Sequence, residues 1–338
     1  MKAAVYFGRH DLRVTDIEQV PAGDKQVVIN VKYCGVCGTD IHIYEGDGGS
    51  FAVAPPLVPG HEFSGVVVSA GKNVKSLKVG DRVAVDPNDM CGECYFCRNA
   101  QKHFCTNNIA VGVSQNGGFA EYVTVNEKAV FKIPDNLSFE TAALVETVSC
   151  CLNGIDLCNI KTGQSVLIIG AGPIGLLMLQ LAGMSGAGKI FVSEIVPEKR
   201  ELALKYGANI VIDPLNEDMG EVLSRNSTNI DCVIECAGTT KTIEQAVRYG
   251  GKGATVMMFG LVAPDATIEI KPYEIFQKEI KLTSSFINPY TFDRAIEVLA
   301  LGKVKVDGII TDILPLDKIG SVFEDISYRR RGKVLIKI

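Results

Sequence analysis

The sequence has 338 residues, more than the roughly 250–300 that a single core usually supports, so two domains are expected. Hydrophobic residues make up 47% and charged residues 22%, which excludes a largely disordered chain. The net charge is −5 and the 34 basic residues are spread along the chain, which excludes nucleic-acid binding as the main function.

The first 150 residues show short alternating runs, Gln26 to Tyr33, Glu62 to Ser69, Asp81 to Val85 and Ala120 to Val125, separated by turns such as Ala70-Gly71-Lys72-Asn73. That rhythm predicts an irregular, barrel-like β domain. From about Gly163 strands and helices alternate. Ser165 to Ile169 reads as a strand, Pro173 to Ser185 as a helix, Lys189 to Ser193 as a strand and Pro197 to Tyr206 as a helix. Further strands are expected at Ile210 to Ile212, Asp231 to Glu235 and Ala254 to Phe259, with helices near Met219 to Arg225 and Thr240 to Arg248. Such alternation predicts right-handed βαβ units and a parallel sheet. After about Phe286 one helix, Tyr290 to Ala300, precedes mixed short strands, and this tail is expected to return to the first domain. The expected division is 1–148 with 286–338, and 149–285.

The opening segment lacks a charged-then-apolar signal pattern, and the most apolar stretch, Val166 to Ala182, is broken by Gly170, Gly172, Pro173 and Gly175. No membrane span is expected, and the cytoplasm is the expected location. Eleven cysteines, an odd number in a long chain, point to metal binding rather than disulfides.

Gly170-Ala171-Gly172-Pro173-Ile174-Gly175 follows a strand and opens a helix, the context a dinucleotide loop requires. Gly170 permits the tight turn, Gly172 lets a pyrophosphate approach the backbone, and Gly175 lets helix and sheet pack closely. Free N–H groups of the helix then face the phosphates. Glu194 at the end of the second strand is expected to accept from the adenosine ribose hydroxyls and to repel a 2′-phosphate, favouring NAD over NADP. Lys199 and Arg200 lie close enough to blunt that preference.

Cys91, Cys94, Cys97 and Cys105 have the spacing C-x2-C-x2-C-x7-C. Four thiolates fill a tetrahedral zinc and leave no position for substrate, which marks a structural site. A second set is dispersed: Cys37 and His42 in Cys-Gly-Thr-Asp-Ile-His, His61-Glu62 after Gly60, and Glu146 in an apolar setting. By spacing alone these do not define a site. A lone His61 is more often a satisfied core histidine, and Glu146 fits a helix cap or an ion pair.

The ordered set Cys37-Gly38-Thr39-Asp40-x-His42, Gly60-His61-Glu62, the four-cysteine lobe, Gly117-Gly118-Phe119-Ala120-Glu121-Tyr122 and the loop Gly170 to Gly175 resembles the zinc-containing medium-chain dehydrogenases, in particular their polyol branch. The resemblance spans essentially the whole chain. It implies a GroES-like β-barrel catalytic domain and a Rossmann domain with a doubly wound parallel sheet. It implies two zinc ions per chain, one at Cys37, His61 and Glu62 with Glu146 close to the metal, and one in the lobe. The expected cofactor is NAD, with NADP second. The expected reaction is reversible oxidation of a secondary alcohol of a polyol or sugar alcohol to a ketone. Threonine or polyol-phosphate oxidation is the enzymatic alternative, and a non-catalytic dinucleotide-binding sensor the other. A small-molecule alcohol is the expected partner, and the chain is expected to form a homo-oligomer, tetramer or dimer.

Within that resemblance Thr39 and His42 match the family's proton relay, and Asp40 is expected to fix the tautomer of His61. One thiolate and one carboxylate neutralise Zn²⁺, so at most one of Glu62 and Glu146 is expected to bind directly with substrate present. Two departures stand out. The family's Glu-Pro pair is Glu146-Thr147 here, and Ile287 stands where a hydroxyl-binding arginine is expected. The run Arg329-Arg330-Arg331 is expected to be a solvated turn.

Overall fold

The computed structural model describes residues 1–47 and 53–338. They form two compact units, Met1–Ser149 with Asn288–Ile338, and Cys150–Ile287. None of the helices among the described residues is long and apolar enough to cross a membrane.

The first unit is built on a seven-stranded, mostly antiparallel sheet. Its path runs Ile310–Pro315, Lys333–Lys337, Gln26–Gly35, Glu62–Ala70, Arg82–Val85 and Val130–Lys132, with Tyr122–Asn126 also paired to Gln26–Gly35. The central strand Gln26–Gly35 buries Val27, Val28, Ile29, Val31 and Cys34, so both its faces are covered. Phe63, Val67, Phe119, Val123, Val125, Val334 and Ile336 complete the core. The C-terminal strand Lys333–Lys337 pairs antiparallel with Gln26–Gly35, Leu335 opposite Gly35. The last stretch of chain therefore lies beside one of the first.

The second unit is a six-stranded parallel sheet in the order Ile210–Ile212, Lys189–Ser193, Ser165–Ile169, Cys232–Glu235, Thr255–Met258, Lys281–Ser284. The strand order reverses between Ser165–Ile169 and Cys232–Glu235. Val166, Leu167, Ile168 and Ile169 are all buried, as a parallel strand covered on both faces requires. The helix Pro173–Met184 begins with proline at its first turn, where the missing N–H costs nothing, and buries Leu176 to Ala182.

Some local structure departs from the sequence reading. Cys37 to His42 follows the strand Gln26–Gly35, and Cys37 caps the helix Gly38–Glu45, an element not expected there. After the helix Phe292–Ala300 the tail is not only short strands. The helices Ile319–Glu324 and Ile326–Arg331 intervene before Lys333–Lys337. Arg331 thus belongs to a helix rather than a solvated turn, and it pairs with Asp312 at 3.3 Å. The helix Pro272–Lys278 lies outside the expected elements. Its Tyr273 and Phe276 are 68% and 78% exposed, so no inward-facing apolar stripe marks it in the sequence.

Candidate metal centres and dinucleotide loop

In the first unit the ligand atoms of Cys37, His61 and Glu62 lie within 4.8 Å of one another. A tetrahedral zinc needs its ligand atoms roughly 3.5–4 Å apart, so small side-chain shifts suffice. Three local features bring them together. Cys37 sits at the helix start, held by its backbone N–H donating to Asp40 Oδ2 at 2.8 Å. His61 and Glu62 enter the strand Glu62–Ala70 behind Gly60, which has φ +93° and whose N–H donates to Asp40 Oδ1 at 3.2 Å. Asp40, fully buried, thus ties the cysteine to the histidine, and its Oδ1 lies 3.4 Å from His61 Nδ1.

The electrostatics of this cluster suit a cation. Burial pushes the His61 imidazole down, but the negative charges of Asp40 and Cys37 beside it raise it well above its ordinary range. His61 Nδ1 is buried and forms no hydrogen bond of good geometry. Glu62 is held below the usual carboxylate range despite its burial, by Lys333 and His61. Both Glu62 oxygens accept from Lys333 Nζ at 2.7 Å, and Oε1 also accepts from Thr147 Oγ1 at 2.9 Å. Gly35 makes this geometry possible: a Cβ there would lie 2.2 Å from Glu62 Oε2. The threonine that breaks the family's Glu-Pro pattern therefore supplies a donor that proline lacks. A soft, half-buried thiolate beside a buried imidazole and carboxylate, in a field that favours positive charge, fits zinc.

Glu146 is not among the three residues whose ligand atoms converge. It is buried in the first turn of the helix Val145–Cys158, and its charge acts on Lys333. Thr39 and His42 lie three residues apart in the helix Gly38–Glu45, on neighbouring positions of one face. Thr39 is half-buried, and His42 is half-exposed, with Nδ1 3.8 Å from Asp47 Oδ2.

The sulfurs of Cys91, Cys94, Cys97 and Cys105 also gather within 4.8 Å. Cys91 Sγ lies 3.5 Å from Cys105 Sγ and 4.0 Å from Cys97 Sγ. The N–H of Cys91 donates to Cys105 Sγ at 3.3 Å, and that of Cys94 to Cys91 Sγ at 3.4 Å. Backbone N–H groups of Cys97 and Thr106 pull the Cys94 thiol down to about 6. Cys97 is pushed up to about 12, first by desolvation and then by the neighbouring sulfurs. Four sulfurs this close cannot all ionise without a cation between them, which is the condition a structural zinc meets.

In the second unit Gly170 has φ +95°, and its N–H donates to Ser193 O at 2.8 Å. A Cβ on Gly175 would lie 1.8 Å from Gly170 O, so only glycine lets the helix start so near the strand. A Cβ on Gly172 would meet nothing within 4 Å, leaving its backbone open to a ligand. Gly172 caps the helix without a side-chain hydrogen bond, and Pro173 and Ile174 form the first turn. Glu194 Oε2 accepts from Ala171 N at 2.6 Å and Oε1 from Val196 N at 2.9 Å. Arg200 is engaged elsewhere, donating to Glu194 O at 2.7 Å and pairing with Asp213 at 3.0 Å. Lys199 is half-buried on the helix Pro197–Lys205.

Sequence reasoning passed over one further network. Asn288 is buried; its Nδ2 donates to Ser149 Oγ at 2.8 Å and Asp86 Oδ1 at 3.3 Å, and its Oδ1 accepts from Asn88 at 2.9 Å. Thr291 Oγ1 donates to Ser149 O at 2.7 Å. Ile287, just before it, has φ +46°, a strained conformation for a β-branched residue. The paired signal in the sequence is only a buried-type serine and an Asn-Pro dipeptide.

Two family models match the chain: the alcohol dehydrogenase GroES-like domain over residues 23–135, and the zinc-binding dehydrogenase over residues 173–301. D-arabinitol dehydrogenase 1 of Uromyces fabae is 34% identical, covering 100% of this chain and 97% of its own length. L-threonine 3-dehydrogenase of Pyrococcus horikoshii is 35% identical, with 96% and 94% covered. Among solved structures, a putative zinc-binding dehydrogenase from Sinorhizobium meliloti 1021, bound to NADP, superposes with a TM-score of 0.95 at 36% identity, covering 100% of this chain and 99% of that one.

Proposed function

We propose that this chain, which belongs to the zinc-containing medium-chain alcohol dehydrogenases and to their polyol branch, reversibly oxidises a secondary alcohol of a polyol or sugar alcohol to a ketone with NAD. The observation that carries this reading is the convergence of half-buried Cys37 with buried His61 and Glu62 in one cluster. The sensor reading offers no reason for such a cluster. Zinc held by these three residues would supply a Lewis acid that polarises the substrate hydroxyl. A second zinc in the cysteine lobe would have a structural role.

The chain's own residues supply the rest. Asp40, with Oδ1 3.4 Å from His61 Nδ1, is the group that would fix the tautomer of His61. The Thr39 hydroxyl accepts the proton leaving the alcohol as it gives up its own, and the His42 imidazole, half-exposed three residues on in the same helix, passes a proton to water. Glu146 stays near the site through its buried charge rather than as a ligand. A dinucleotide held at the loop Gly170 to Gly175 would supply the hydride acceptor.

Two facts support NAD as the acceptor. Glu194 presents a carboxylate at the end of the second strand, and Arg200, one of the two cations expected to blunt its preference, is paired with Asp213. The NADP bound to the Sinorhizobium protein keeps the second cofactor in the test.

Within the enzymatic reading, threonine oxidation is supported by a relative as similar as the arabinitol enzyme. Ile287 in place of an arginine that binds hydroxyls also argues against sorbitol itself. Turnover of zinc-loaded protein on a panel of pentitols, hexitols, their phosphates and threonine, with NAD and NADP, separates these readings. A pentitol or hexitol with NAD is the expected pair. Oxidation of none of them by protein shown to hold both metals would favour the sensor.

A further inference from the structure

Among the described residues Lys333 is the only lysine or arginine that is buried, at 6% exposure. It comes from the C-terminal strand Lys333–Lys337. Its ammonium donates to both Glu62 oxygens at 2.7 Å and to Val36 O at 3.3 Å. Glu62, 1% exposed, fits there because Gly35 has no side chain in its way. A buried pair this close is costly to assemble from solvated ions, and a hydrophobic pair of the same volume packs at least as well. Stability alone therefore gives no reason for an ammonium at this position.

Counting charge does. Cys37 and Glu62 bring two negative charges to the metal cluster, and Asp40 and Glu146 add two more close by. Against the two positive charges of zinc, that leaves an excess of two negative charges, with Asp40, Glu62 and Glu146 all buried. Lys333 is the group that cancels one of them.

Resting on the dehydrogenase reading above, we infer that Lys333 is a positioning residue that acts through Glu62: its charge weakens the site's hold on zinc while leaving the metal a stronger acid toward the substrate hydroxyl. The sign of its effect on metal affinity separates this role from a structural one. A residue that only orients a ligand loses affinity when removed, roughly 10–100-fold. A positive charge beside a cation does the reverse, and its removal tightens binding.

The experiment is chelator competition on the full chain, followed by the absorption of cobalt(II) exchanged into the protein, in which a one-thiolate site and a four-thiolate lobe differ. Lys333→Met is expected to bind metal at the Cys37 site on the order of tenfold more tightly than the unmutated protein, with kcat lower by a similar factor and NAD affinity unchanged. Lys333→Arg, which keeps the charge, is expected to retain the original affinity. Where Lys333→Met does not fold because Glu62 is left unpaired, Glu62→Gln is compared with Glu62→Gln/Lys333→Met, and the double variant is expected to bind metal more tightly than the single one. Unchanged or weaker affinity in the folded variant would overturn the inference alone. Failure of the unmutated protein to take metal at Cys37 while its lobe fills would overturn the dehydrogenase reading and the inference together.

Discussion

Glu194 has four lone-pair directions, and the structure already uses two, on Ala171 N and Val196 N. The same carboxylate thus shapes the glycine loop and, on the proposed reading, meets the ribose. Glu194→Ala is expected to lower the preference for NAD over NADP on the order of tenfold in kcat/KM, the scale of one charge-assisted hydrogen bond. It is also expected to weaken binding of both dinucleotides, because the loop loses its anchor at Ala171 N. An unmutated enzyme that uses both cofactors equally would show that Lys199 outweighs the carboxylate. At the lobe, Cys97→Ser is expected to remove one of two zinc ions per chain and leave the other, read by metal analysis of the purified protein. Loss of the Cys37 metal with the lobe metal retained would contradict the assignment of Cys97. The lobe could be read from spacing because one loop supplies all four sulfurs. The partners of Glu62 could not: Thr147 and Lys333 lie 85 and 271 positions away, and no local pattern records a pairing at that distance. The one local hint was a lysine in the otherwise apolar strand Lys333-Val334-Leu335-Ile336.

Both glycines that matter most act where one element meets another. Gly35 ends the strand Gln26–Gly35 against Glu62, and Gly175 starts a helix against the strand end at Gly170. Gly35→Ala is expected to empty the Cys37 site while the lobe keeps its zinc, since the new methyl would lie 2.2 Å from a ligand oxygen. Gly175→Ala is expected to abolish dinucleotide binding, measured by fluorescence of bound NADH, with metal content unchanged. An alanine variant at Gly35 that kept both metals would show that Glu62 can reach the cluster by another path. Gly175 was legible because its spacing in the loop has a stated physical purpose. Gly35 was not, because the residue it makes room for lies on the neighbouring strand. The parallel strands were legible for a similar reason, being apolar runs between turn residues. The short helices near the C-terminus were not, since six residues leave too little periodicity to separate from a strand.

Across the molecule, Ser149 and Asn288 mark the two points where the chain leaves and re-enters the first unit, and a hydrogen bond of 2.8 Å joins them. The change of rhythm near Gly163 and its loss after Phe286 made the two-part organisation visible in the sequence. The amide that fastens the crossings was invisible, because buried asparagines look like surface ones until the fold surrounds them. The second unit is continuous in sequence, whereas the first consists of two stretches separated by it. A chain ending at residue 300 is therefore expected to yield a protease-resistant fragment near Cys150–Ile287 and to lose residues 1–149 to digestion. Survival of the N-terminal stretch would show that the sheet closes its core without Lys333–Lys337.

A ribosome makes Glu62 271 residues before it makes Lys333. At 5–20 residues per second the carboxylate is without its counter-ion for roughly 15 to 55 seconds, while the whole dinucleotide unit emerges and can fold. During that interval the sheet that carries Glu62 lacks the strand that pairs with Gln26–Gly35, so the cluster of Cys37, His61 and Glu62 is complete only after synthesis ends. The arrival of the last strand then brings the positive charge that adjusts the site. The metal cluster and its counter-ion therefore form together, once the dinucleotide unit has already been made.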